Sequence, residues 1–199
     1  DAQKVTLDYF ATLDRAKLNE KAYWDLFANY VNDVDSDLFQ HVYANRTQYC
    51  TLYGEQPVNR KLQNVWAIGA SRFVKEDDGK KVLDKKGFER YVKRMKKAKV
   101  EGWEDIATSA RMNNAEKIGD WKTYVELGEV QLKNGKVSDL LLYNWGLRIT
   151  KNCKDKDLRS RAAGWFERAA AEAAKKEAEG KGGMMSYRTY FEKLAEGLK

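Results

Sequence analysis

Glycine recurs at an interval of eighteen in the second half of this chain, at Gly128, Gly146 and Gly164, each time inside a run whose apolar spacing is helical. A glycine in a helix interior costs about 1 kcal/mol relative to alanine. Its use at a fixed interval therefore points to places where two helices come too close for a Cβ. An aromatic pair lies at or near each one: Trp121 and Tyr124, then Tyr143 and Trp145, then Trp165 and Phe166. Small residues set opposite large ones are how stacked helical hairpins pack. Such stacks mostly hold partners or other domains rather than carry out chemistry.

Pro57 is the one proline among 199 residues. Long helices tolerate little proline, whereas folds rich in sheet and turns use more of it. The apolar spacing agrees. Val5, Leu7, Tyr9, Phe10 and Leu13 are spaced as on a helix, as are Tyr23, Trp24, Phe27, Tyr30 and Val31. After the polar DVDSD break, where Asp35 or Ser36 can cap, a third helix is expected to run to Tyr53 with Phe39, Val42, Tyr43, Tyr49, Cys50 and Tyr53 inward. Gly54 is placed to end it, and Pro57 to open the next, which carries Leu62, Val65, Trp66, Gly69 and Phe73.

EDDGKKVLD reads as a loop holding a short turn or one extended strand, with no strand pairing expected. A helix from Asp84 presents Phe88, Tyr91, Val92, Met95 and Ala98. Another, after Gly102, presents Ile106, Ala107, Ala110, Met112 and Asn113. Beyond GKGG, a reversal, a last helix from about Met184 to Leu198 is expected to insert Met185, Tyr190, Phe191 and Leu194. The sum is an all-α fold of nine or ten helices, stacked as antiparallel hairpins in a tetratricopeptide-like superhelix. It is read as one helical-repeat domain over residues 1–199. The chain opens at Asp1 inside an amphipathic stretch, AQKVTLDYFATL, so a C-terminal piece of a longer protein is expected.

The net charge of +7 is concentrated. From Lys75 to Lys99 there are eleven Lys and Arg against five Asp and Glu, and the remainder is close to neutral. KKGFERYVKRMKKAK is a candidate anionic contact. Its Phe88 and Tyr91 lie on the apolar stripe, so a solvated face is the first reading, an acidic protein partner the second, and nucleic acid or a lipid surface the last. The candidate interaction residues are Arg90, Lys93, Arg94 and Lys97 on that helix, with Trp103 (in EGWED) and Trp121 (in GDWKTY) as helix-opening anchors. Trp24, Trp66, Trp145 and Trp165 fall on apolar faces instead.

No stretch approaches the roughly 20 apolar residues that cross a bilayer. DVDSD begins like a calcium loop, but such a loop needs glycine at its sixth position and glutamate at its twelfth. Counted from Asp33, these are Leu38 and Ala44. GKGG follows a helix rather than a strand and lacks the Lys-Ser/Thr of a phosphate loop. His41 is the one histidine, and Cys50 and Cys153 form no CxxC. The two cysteines are read as small buried hydrophobes, with a disulfide or a reactive thiol as alternatives. No catalytic, cofactor or metal residues are assigned.

Four segments together, TLDYFATLDRAKLNEKAYWDLFANYVNDVDSDLFQHVYANR, YG with VNRKL, LYNWGLRITKNCKD and EAEGKGGMMSYRTYFEKL, resemble the helical C-terminal half of secreted thioredoxin-family proteins of Gram-negative bacteria. In that family a thioredoxin-like domain with a CxxC motif precedes a tetratricopeptide-like region. The resemblance covers nearly the whole chain. Ala162, Phe166 and Ala169 match the second helix of the repeat; Gly146 matches the first if an insertion around Asp155 to Leu158 is allowed. It implies a non-catalytic accessory or protein-interaction domain of a thiol-disulfide oxidoreductase or isomerase. The expected partner is a client protein or the thioredoxin-like domain itself, in the periplasm or cell envelope. The family's redox cysteines have no counterpart here. The alternative reading is a stand-alone helical protein that binds an anionic surface through Lys75–Lys99.

Overall fold

The computed structural model describes residues 5, 8, 9, 12, 17, 19–135, 137–181 and 187–199. Among them are ten helices and one two-stranded hairpin, so the protein is all-α. Of the first amphipathic run only Val5 and Tyr9 are described. Leu7, Phe10 and Leu13 lie outside the described residues, as do Gly182, Gly183, Met184 and Met185. The chain divides into two compact units, Asp1–Ala110 and Arg111–Lys199.

In the first unit, α1 (Lys21–Tyr30) turns Trp24 and Phe27 inward. Ser36 caps α2 (Asp37–Ala44), its Oγ accepting from the Phe39 amide at 3.3 Å. The single helix expected to Tyr53 is two, because Asn45 separates α2 from α3 (Arg46–Tyr53). The Asn45 side chain donates to the His41 carbonyl at 2.8 Å, an acceptor it shares with its own backbone amide at 3.1 Å. Gly54, at φ 90°, ends α3. Pro57 sits in the first turn of α4 (Glu55–Ala70), where its missing N–H costs nothing.

Val58, Leu62, Val65 and Trp66 of α4 pack with Phe39, Tyr49, Phe88 and Met95. A Cβ on Gly69 would lie 2.8 Å from Cζ of Tyr91. The Tyr91 hydroxyl fills that space and donates to the Trp66 carbonyl at 2.9 Å. The EDDGKKVLD segment is an antiparallel hairpin of β1 (Val74–Asp77) and β2 (Lys80–Leu83), not an unpaired loop. Asp78 and Gly79 both take positive φ, 47° and 71°, the two-residue turn that an Asp-Gly pair favours. Asp84 then caps α5 (Lys85–Lys97), accepting from the Gly87 amide at 2.8 Å. α6 is Trp103–Ile118. It buries Asn114 completely and exposes Asn113, which the apolar stripe had included. Ala107, Ala110 and Met112 are buried as read; only Asn113 gives its place to Asn114.

In the second unit Asp120, Ser138 and Asp155 cap α7 (Trp121–Lys133), α8 (Asp139–Asn152) and α9 (Lys156–Ala178). α10 is Arg188–Leu198. α9 packs against α7, α8 and α10. It ends at Gly180, φ 69°, where the Lys181 amide donates to the Lys176 carbonyl at 2.8 Å and the Gly180 amide to that of Glu177 at 3.0 Å. This pairing is the Schellman closure.

Two of the three interval glycines are close approaches. A Cβ on Gly128 would lie 2.6 Å from Cη2 of Trp165; one on Gly146 would lie 2.6 Å from Cζ of Phe166 and 2.7 Å from Cδ1 of Leu194. Gly164 is not, since nothing lies within 4 Å of its Cβ position. Phe191 and Leu194 are buried as expected, but Tyr190 is 47% exposed, its ring 5.4 Å from that of Tyr143.

Candidate functional site

Residue types that carry chemistry are engaged in packing and ion pairs. Cys50 and Cys153 are free thiols. Cys153 is buried, and Cys50 is half-buried with Sγ 3.9 Å from Asn59 Oδ1. His41 meets Tyr49 edge-on, ring centres 6.3 Å apart. Asp33 and Asp35 of the DVDSD break accept from Arg72 (3.0 Å) and Arg94 (2.5 Å), which is what a capped, ion-paired turn does. Among the described residues no group of His, Cys, Asp and Glu could hold a metal ion, and no helix is long and apolar enough to cross a membrane.

Two surfaces stand out. The first is a groove of about 920 Å³ in the second unit, between α7 and the C-terminal part of α9. Gly128 creates it in part: with no Cβ there, the Trp165 indole lies against the α7 backbone and forms the floor. Ala169 and Ala173 continue the floor along α9, and Val137 and Leu142 lie opposite. Val130 is 50% exposed at the rim. Arg161 holds Glu129 through both carboxylate oxygens, at 3.1 and 2.8 Å, a fork that fixes both side chains more firmly than a single contact would. Lys133, Arg168 and Lys176 face Glu126, Asp139 and Glu172 around the mouth, so the rim carries both signs in equal number.

The second surface is the outer side of α5. At 3.6 residues per turn, Lys86, Arg90, Lys93 and Lys97 fall within about 60° of arc, opposite Phe88, Tyr91 and Met95. The four cations are exposed, and the three opposite them are buried. Glu89 and Lys96 flank the stripe on one side and Arg94 on the other. The local energetics oppose part of this arrangement. Lys85 and Lys86 stand in the first turn, where no acid is present and where a cation opposes the helix dipole at a cost of about 0.3–1 kcal/mol. Like-charge neighbours four apart, Lys86 with Arg90 and Lys93 with Lys97, cost about 0.2–0.5 kcal/mol each. Asp84 at the cap offsets part of this.

The six residues singled out in the sequence separate accordingly. Arg90, Lys93 and Lys97 share the α5 stripe. Arg94 does not: it is tied to Asp35 and lies over the Trp66 ring at 5.4 Å, bracing α5 against the core. Trp103 is half-buried with Lys96 Nζ 5.6 Å from its ring centre. Trp121, in the second unit, is half-buried against Tyr124 at 5.3 Å. Sequence reasoning missed Lys86, although its four-three-four spacing with Arg90, Lys93 and Lys97 was available. It also missed the groove, whose floor depends on the pairing of Gly128 with Trp165, 37 positions apart.

Burial shifts several ionisable groups away from both surfaces. Lys61 is half-buried, its Nζ 5.8 Å from the Phe27 ring centre and 3.2 Å from Asn32 Oδ1, and burial lowers its ammonium to about 8. Burial raises the phenols of Tyr49 and Tyr124 to about 12. No family model, curated protein or solved structure matches the chain.

Proposed function

We propose that this chain is a non-catalytic helical interaction domain that serves as the accessory region of a thioredoxin-like thiol-disulfide oxidoreductase or isomerase of the periplasm or cell envelope. The observation that carries the interaction reading is the groove between α7 and α9. Its floor of Trp165, Ala169 and Ala173 is apolar, and the two alanines leave room for an incoming helix backbone. Its rim carries both signs in equal number, which suits an amphipathic helix with charges of both signs along its borders. The thioredoxin-like partner is supported by the sequence resemblance.

The test has two parts. Intact mass and peptide mapping of the natural polypeptide should find a CxxC-bearing domain ahead of this region. That domain, produced separately, should bind this chain in calorimetry. Ala169→Gln with Ala173→Gln, which fills the groove from two half-buried positions, should weaken binding at least about ten-fold. A natural polypeptide without such a domain refutes the accessory role. Equal affinity for the filled variant refutes the groove as its seat.

A further inference from the structure

The geometry points to the outer side of α5 as a docking surface for anionic lipid headgroups, independent of the α7–α9 groove. Lys86, Arg90, Lys93 and Lys97 form one line of exposed cations, about 16 Å long at 1.5 Å per residue. None of the four has an ion-pair partner among the described residues. Three arginines elsewhere in the first unit are paired with carboxylates: Arg46 with Glu101, Arg72 with Asp33, Arg94 with Asp35. The helix keeps Lys86 against its own dipole and four residues from Arg90, a like charge. A local rule broken without an internal gain marks a position held for an external one.

The shape of the charge selects the partner. A helix entering a nucleic-acid groove turns its outermost ridge to the base edges and its flanks to the two phosphate strands. Here the ridge carries the cations, while the flanks carry Glu89 and Lys96, the latter held over the Trp103 ring, on one side and the already paired Arg94 on the other. Phe88 and Tyr91 are buried and offer no base a stacking face. A plane of phosphate headgroups meets a ridge along its whole length and leaves the flanks in water. The apolar face of α5 is covered by the core, so this helix inserts nothing into the acyl region. The contact is peripheral, electrostatic and reversed by salt.

Each Lys or Arg near an anionic leaflet is worth about a five-fold gain in partition, so the four together give an effect on the order of several hundred-fold. The test uses the full chain and vesicles of phosphatidylglycerol mixed with phosphatidylcholine, read by co-sedimentation at low and at physiological salt. Lys86→Gln, Arg90→Gln, Lys93→Gln and Lys97→Gln combined should reduce binding at least about a hundred-fold. The matched control, Lys151→Gln, Lys154→Gln, Lys175→Gln and Lys193→Gln, removes the same charge from other exposed positions and should retain most of it. Far-ultraviolet circular dichroism checks that both variants keep their helices. Equal loss in the two variants would show net charge alone at work and overturn the assignment. So would no binding at low salt, or tighter, ridge-dependent binding to a DNA duplex than to the vesicles.

Discussion

Exchanging glycine for alanine at Gly146 and at Gly164 should move stability in different directions, although both residues lie in helix interiors and belong to the same sequence interval. Alanine in a helix is favoured over glycine by about 0.8–1 kcal/mol. At Gly164, nothing lies within 4 Å of the new methyl, so Gly164→Ala should realise that gain nearly in full. At Gly146 the methyl would lie 2.6 Å from Cζ and 3.0 Å from Cε1 of Phe166, and 2.7 Å from Cδ1 of Leu194. Phe166 is wholly buried, and Leu194 nearly so, so neither can retreat cheaply. Overpacking of this kind costs about 1–3 kcal/mol. Net of the helix gain, Gly146→Ala should range from neutral to about 2 kcal/mol destabilising. The two variants should therefore differ by about 1–3 kcal/mol. Urea titration followed by circular dichroism measures both against the parent protein, and the shift in midpoint gives the difference when the slope is unchanged. If Gly146→Ala stabilises as much as Gly164→Ala, then α8 does not approach Phe166 and Leu194 as described, and the packing of the second unit is wrong at its centre.

Lys61 should give the stability a distinctive pH dependence. Burial lowers its pKa from 10.5 to about 8, so between those values the unfolded chain holds a proton that the folded one has lost, and stability rises with pH. Tyr49 and Tyr124, raised from 10.0 to about 12, act in the opposite sense: above about pH 10 the folded state holds the extra protons and stability falls. Lys61→Met should flatten the rise between pH 8 and 10 in thermal melts; an unchanged slope would refute the assignment. Lys99 ends α5 at φ 53°, a region that costs a residue with a Cβ about 1 kcal/mol. Lys99→Gly should stabilise by about 0.5–1 kcal/mol in urea titration while Lys99→Ala does not. Equal effects from the two would mean that charge, not backbone, governs the site.

Much of the helical architecture was legible because it is written in short-range periodicity. Trp24, Trp66, Trp145 and Trp165 are buried as their spacing requires, and Gly54, Ser36 and Pro57 mark the boundaries assigned to them. The departures are local interactions that periodicity does not weigh. Asn45 donates twice to the His41 carbonyl and separates two helices; Asp78 and Gly79 make a turn tight enough to pair two strands of four residues each. Gly164 shares the interval of Gly128 and Gly146 but not their neighbours, because what faces a glycine is decided by chain segments far away in sequence. The α5 stripe was legible in part for the same reason. Its charges lie within twelve residues of the chain, but the capture of Arg94 by Asp35, 59 positions earlier, is a tertiary fact.

The length of α9 has a consequence of another kind. Its 23 residues reach about 34 Å, whereas α7 and α8 have 13 and 14. Lys175, Lys176, Glu177 and Ala178 at its end are all exposed. Apart from Lys176 at the groove mouth and Glu177, which pairs with Arg188 at 3.6 Å, that tail should accept most exchanges among alanine, glutamate, lysine, glutamine and arginine over evolutionary time, while the Trp165 and Phe166 level of the same helix, ten residues earlier, should scarcely change. One continuous helix thus joins two segments that drift at very different rates.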